Sequence, residues 1–102
     1  MKINFSKISE IYGKNTLYDF KENIEDITDN INYLFKLGFT DVYDILELYP
    51  HMFFMSSDIF SEKVNLLIHK LGEEYLSILD EDTTLWGGVE IDKWKRTPTN
   101  AK

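Results

Sequence analysis

The chain has 102 residues, of which 43% are hydrophobic and 15% aromatic; that suits one domain and excludes a disordered polyelectrolyte. Eleven basic against 18 acidic side chains leave a net charge of −7, which argues against dedicated binding of a nucleic-acid backbone or an anionic membrane, since both draw on Lys and Arg. With no cysteine, disulfide scaffolds, zinc ribbons and thiol chemistry are excluded.

The elements follow in chain order. Ile3, Phe5, Ile8, Ile11 and Tyr12 make the first segment amphipathic, with Gly13 as its stop; it reads as an N-terminal capping helix. Leu17, Phe20, Ile24, Ile27, Ile31, Leu34 and Phe35 then recur at spacings of three and four, with acids between them. This predicts one helix from about Thr16 to Leu37, weakened near Thr28, with Asn15 or Thr16 as N-cap and Gly38 as stop. Three heptads of this pattern suit a globular core helix better than a coiled coil. Thr40 is the expected cap of a short helix carrying Val42, Ile45, Leu46 and Tyr49, which Pro50 ends.

Met52, Phe53, Phe54 and Met55 form an apolar plug, read as core, with any exposed part an interface. Ser56, Ser57 and Asp58 restart a helix whose expected buried face is Ile59, Phe60, Val64, Leu67, Ile68 and Leu71, ended by Gly72. A last short helix presents Tyr75, Leu76, Ile78 and Leu79. The stretch from Leu85 to Trp94 contains Gly87-Gly88 and reads as a strap that docks through Leu85, Trp86 and Trp94. Residues 1–96 are expected to form a single helical domain and 97–102 a frayed tail. The fold expected is all-α, with five to six helices.

The two halves resemble each other: residues 33–38 align with 67–72 at an offset of 34, and a short amphipathic helix follows each glycine. Such a period suggests a helical repeat. The residues Leu37-Gly38-Phe39-Thr40-Asp41-Val42, then Asp44-Ile45, Tyr49-Pro50 and Phe53 resemble the repeat of the mitochondrial transcription termination factor family. The likeness covers about residues 24 to 80. It is complete for one repeat, because the second has Glu73 in place of the aromatic and no proline after its short helix. The resemblance implies a short right-angle helical repeat, and it suggests a small bacterial protein carrying one such repeat. It also implies a basic concave surface that meets nucleic acid. Between residues 16 and 48, however, two lysines face eight acids.

Candidate functional residues are few. Glu73, Glu74, Asp80, Glu81 and Asp82 fall in a stretch from Leu71 to Asp92 that holds seven acids and no Lys or Arg. With Trp86 and Trp94 as aromatic anchors they suggest a face for a protein partner with a basic surface. The rival reading is nucleic-acid binding through Lys93, Lys95 and Arg96, where Trp94 adds a stacking ring. A sharper form of the first reading has the carboxylates imitate phosphates and block a nucleic-acid-binding protein. Asp80-Glu81-Asp82 lacks the spacing of a calcium loop. His51 and His69, the two histidines, read as half-exposed surface residues. No nucleophile elbow, phosphate loop or dinucleotide fingerprint occurs, so the chain reads as non-enzymatic, with no metal or cofactor.

Isoleucine, Asn, Lys, Asp and Tyr are abundant, and alanine and arginine occur once each, at Ala101 and Arg96. That usage follows AT-rich codons and points to a microbial or phage genome. Neither a secretory signal nor an 18-residue apolar run is present, so the expectation is a cytoplasmic monomer or weak homodimer with no membrane partner.

Overall fold

The structure, a computed structural model, describes residues 3–90. The described residues are all-α. Seven α-helices run in the order α1 (Phe5–Tyr12), α2 (Lys14–Glu22), α3 (Ile24–Leu37), α4 (Val42–Leu48), α5 (Ser57–Leu71), α6 (Tyr75–Glu81) and α7 (Gly87–Glu90). Two 3-10 segments, Pro50–Phe54 and Thr83–Trp86, precede α5 and α7. Lys93, Trp94, Lys95, Arg96 and the tail 97–102 lie outside the described residues.

The single helix expected over 16–37 is two helices, and the break is at Asn23 rather than Thr28. The Asn23 side chain donates to the Asp19 carbonyl at 2.8 Å, and its backbone N–H donates to the same oxygen at 3.0 Å. An asparagine that bonds locally in this way competes with the helix ladder. Thr28 instead donates its hydroxyl to the Ile24 carbonyl at 2.7 Å within an unbroken helix. The caps also differ from expectation. α2 starts at Lys14 directly after Gly13, so Thr16 lies inside it and is buried. Asp41, not Thr40, precedes α4.

Gly38 does more than stop α3. Its φ of 110° lets its N–H donate to the Phe35 carbonyl at 3.0 Å while the Phe39 N–H donates to the Leu34 carbonyl at 3.2 Å. This paired closure is the Schellman arrangement, and it places Phe39 against the helix it has just left. Leu34 and Phe39 are both buried. The second glycine stop ends otherwise: Gly72 donates to the Ile68 carbonyl at 2.9 Å, and Glu73, the residue after it, is exposed. Each glycine still separates a long helix (14 and 15 residues) from a seven-residue one.

The core is one cluster. It joins Ile8 and Phe20 of the first two helices to Ile27, Ile31 and Leu34 of α3, and to Val42, Ile45 and Leu46 of α4. Met52 and Phe53 sit in it with no exposed surface, as do Phe60, Val64 and Trp86. The apolar plug is therefore core. Phe20 meets Phe54 edge-on at 5.2 Å between ring centroids, and Phe53 lies 5.3 Å from Phe60. On α5 the buried stripe is Phe60 and Val64, flanked by the half-buried Leu67, Ile68 and Leu71. Ile59, expected in that stripe, is 48% exposed, because it lies about 100° around the helix axis from Phe60.

Polar groups lock the elements together. Asn30, wholly buried on α3, donates its amide hydrogens to the carbonyls of Phe53 (3.0 Å) and Met55 (2.9 Å). The Tyr12 hydroxyl donates to the Glu47 carbonyl at 2.7 Å, and the Tyr75 hydroxyl to the Leu37 carbonyl at 2.7 Å. Both acceptors are at helix C-termini, where carbonyls lack partners of their own. Lys7 pairs with Glu47 at 2.7 Å, and this contact raises the lysine above its ordinary pKa. Its contribution to stability is thus present at neutral pH and fades as the pH climbs through the folded-state value.

These locks set two expectations for stability. Asn30→Ala leaves the buried Phe53 carbonyl and the part-buried Met55 carbonyl without their donor, and, since it also removes a buried Oδ1 that has no partner among the described residues, lowers the unfolding free energy by about 1–3 kcal/mol, read from the urea midpoint at unchanged slope. A loss no larger than that of a surface substitution, about 0.5 kcal/mol, would contradict this role. Lys7→Met, by contrast, leaves the neutral-pH midpoint nearly where it was, because the lysine is half exposed and solvent screens the pair on that side.

Candidate acidic cleft

Three local features converge beside the Gly38 turn. The turn presents Thr40 and Asp41, α4 contributes Ile45, and α6 crosses with Leu76, Ser77 and Asp80 along one face. The approach is close: a Cβ added at Gly38 would sit 3.1 Å from the Leu76 Cδ1. The backbone angle of 110° is what calls for glycine there, while an added Cβ would need the Leu76 side chain to shift by a few tenths of an ångström. Tyr75 holds α6 in this position through its bond to the Leu37 carbonyl. The result is a cleft of about 240 Å³ that lies over the buried Phe39, Leu79 and Trp86 and has Leu76 as its exposed apolar side chain.

Asp41 and Asp80 line this cleft with Thr40 and Ser77, and among the described residues no Lys, Arg or His does. Hydrogen-bond acceptors and negative charge beside the exposed Leu76 suit an amphipathic cation, whose alkyl stem lies along that leucine while its head meets the acids.

The five predicted acids divide around this site. Asp80 lines the cleft, whereas Glu73, Glu74, Glu81 and Asp82 are exposed beside it without lining it. Asp82 acts locally. Its carboxylate accepts the Thr84 N–H at 3.2 Å and also the Thr84 hydroxyl, opening the 3-10 segment Thr83–Trp86. Trp86, expected as a surface anchor, is a correction. Its relative exposure is 0%, and its ring lies 5.3 Å from that of Phe39. The capped 3-10 turn carries it into the core, and its indole N–H is buried there with no acceptor. Asp41 was missed, because it stands 39 positions from Asp80 and no periodicity links them.

The histidines occupy other places. His51 is exposed and meets the ring of Phe54 edge-on at 5.4 Å. His69 lines a separate groove on α5. Among the described residues no three His, Asp or Glu side chains converge as a metal site. None of the described helices is long and apolar enough to cross a membrane.

Comparison with protein-family models, curated proteins and solved structures returns no match.

The burial of Trp86 has a spectroscopic signature. In the Trp94→Phe variant the remaining indole should emit blue-shifted light and resist acrylamide, and unfolding in urea should shift it red and expose it to quencher. Emission like that of free tryptophan in the folded protein would contradict its place in the core.

Proposed function

We propose that this chain is a non-enzymatic protein-binding module whose acidic cleft receives a lysine or arginine side chain of a basic partner. One observation carries the reading. Asp41 and Asp80 line one cleft beside the exposed Leu76, and among the described residues no cationic side chain lines it. The exposed acids Glu73, Glu74, Glu81 and Asp82 nearby extend the negative field that guides such a partner in. The anchor is the partner's, received by this chain, because Trp86 is committed to the core.

The paired pattern of long helix, glycine and seven-residue helix supports a degenerate right-angle repeat as the frame of this module, in a small cytoplasmic bacterial protein. The basic cluster Lys93, Lys95 and Arg96 belongs to the rival nucleic-acid reading, on which the described residues carry no observation.

The test is titration calorimetry with a helical peptide carrying two arginines, against the same peptide with citrulline in their place. The arginine peptide should bind at least about tenfold more tightly, and its affinity should fall with added salt. Asp41→Asn with Asp80→Asn should remove that preference, while Asp29→Asn, an exposed acid of α3, should preserve it. Equal binding of the two peptides would overturn the reading. A gel shift of single-stranded DNA at low salt that vanished on neutralising Lys93, Lys95 and Arg96 would establish the rival instead.

A further inference from the structure

Residues 83–90 form a wall shared by two surfaces. The 3-10 segment Thr83–Trp86 sets Trp86 beneath the acidic cleft. α7 follows it directly and sets Gly88 and Val89 beside a groove of about 450 Å³ that Leu66 and Leu67 of α5 also line. Cleft and groove share no lining residue, yet one short stretch of chain borders both.

The attachment of this stretch is weak for its burial. Its two helical pieces have four residues each, and a single turn does not hold its own shape in water. Gly87 and Gly88 open α7, and a glycine in a helix loses more chain freedom than alanine does. Of residues 83–89, Trp86 and Val89 are the buried ones. Trp86 buries its indole N–H with no acceptor among the described residues; opening returns that donor to water, which offsets part of the cost of exposing the ring. The bond from the Thr84 N–H to Asp82 is exposed to solvent. The preceding element is held differently. The Tyr75 hydroxyl ties α6 to the end of α3, and Leu79 is buried. Asp82, non-helical at φ −131° and ψ 85°, lies between the two.

We propose that residues 83–90 are a strap that opens as one unit about Asp82 while the longer helices stay folded, and that its opening dismantles the cleft and the groove together. The closed form predominates, because it buries Trp86 and Val89. Opening withdraws Trp86 from Phe39, whose ring lies 5.3 Å away, and removes α7 from α5 and from the 3-10 segment Pro50–Phe54 on which it packs. Whatever holds the strap closed on one surface therefore maintains the other. The proposal goes beyond the acidic-cleft reading and does not depend on it.

The experiment is native-state hydrogen exchange of the full chain, followed in nitrogen-15 spectra at low urea. Three protons report the strap: the amides of Leu85 and Gly87, each bonded to a carbonyl within residues 82–85, and the Trp86 indole N–H. Corrected for intrinsic rates, they should exchange at least about tenfold faster than the Ile31 and Leu34 amides of α3, with one common protection and a smaller urea slope. Ile27→Val, in the core face of α3, should speed Ile31 and Leu34 and leave the strap protons unchanged. Gly88→Ala, whose added Cβ meets nothing within 4 Å, should slow the strap protons about threefold. Trp86→Ala should release the strap, moving the amides of Asp41 and Leu76 in the cleft and of Leu66 and Leu67 in the groove together, with those of α1 and α2 unmoved.

Several outcomes overturn the proposal. If the strap protons share the protection and urea slope of α3, the stretch opens only with the whole molecule. If Leu85 and Gly87 exchange while the indole keeps the protection of α3, the backbone frays without opening. Exchange indifferent to Gly88→Ala would show that α7 does not melt in the opening. Shifts in Trp86→Ala confined to one surface would remove the coupling, and loss of its whole helical spectrum would make the stretch part of the core.

Discussion

The side-chain amide of Asn30 is the contact on which the rest of the architecture depends. The 3-10 segment Pro50–Phe54 must bury Met52 and Phe53 completely, but a 3-10 turn satisfies its own carbonyls poorly. Asn30 donates to the carbonyls of Phe53 and Met55 from the middle of α3, so a segment without regular hydrogen bonding can sit in the interior. α3, α4 and α7 all pack on that segment, and Phe53 passes the contact on to Phe60 of α5. The amide nitrogen discriminates between arrangements as well as stabilising one, since a shifted register would leave its two N–H donors unpaired.

A second constraint acts at the helix ends. Helices of seven residues bury little surface each and leave many terminal carbonyls unpaired. Here tyrosines reach in from other elements: Tyr12 from α1 to the end of α4, and Tyr75 from α6 to the end of α3. Each hydroxyl satisfies an orphan acceptor and fixes the angle between two helices. Together with the Gly38 closure, the Tyr75 bond sets the spacing of α6 against the Thr40-Asp41 turn and so creates the acidic cleft. Cleft geometry is thus a by-product of helix termination.

The acidic cleft and the α5 groove give this small molecule two surfaces of contrasting chemistry. Among the described residues, the cleft is lined by Asp41, Asp80, Thr40 and Ser77 beside Leu76, and the groove by Leu66, Leu67 and Val89 with Lys63, His69 and Lys70. A net charge of −7 averages over both and describes neither. Leu66 of α5 is 61% exposed.

Much of the fold was legible in the sequence by itself. The three-four spacing, the glycine stops at 13, 38 and 72 and the proline at 50 determine an all-helical chain and most of its element boundaries, because helix amphipathicity and termination are local properties. The likeness of the segments around Gly38 and Gly72 was also visible there. Tertiary structure alone decided the rest. Whether α2 and α3 are one helix turned on a single asparagine bonding to the carbonyl of Asp19. Whether Trp86 anchors a partner or fills the core turned on a 3-10 turn capped by Asp82. The placing of Asp41 and Asp80 in one cleft, and the exposure of Ile59 and Leu66, depend on how helices distant in sequence cross, and no local pattern encodes a crossing. The sequence therefore determined which stretches are helical and where the acids are concentrated; packing decided which of those acids meet and which apolar residues remain outside.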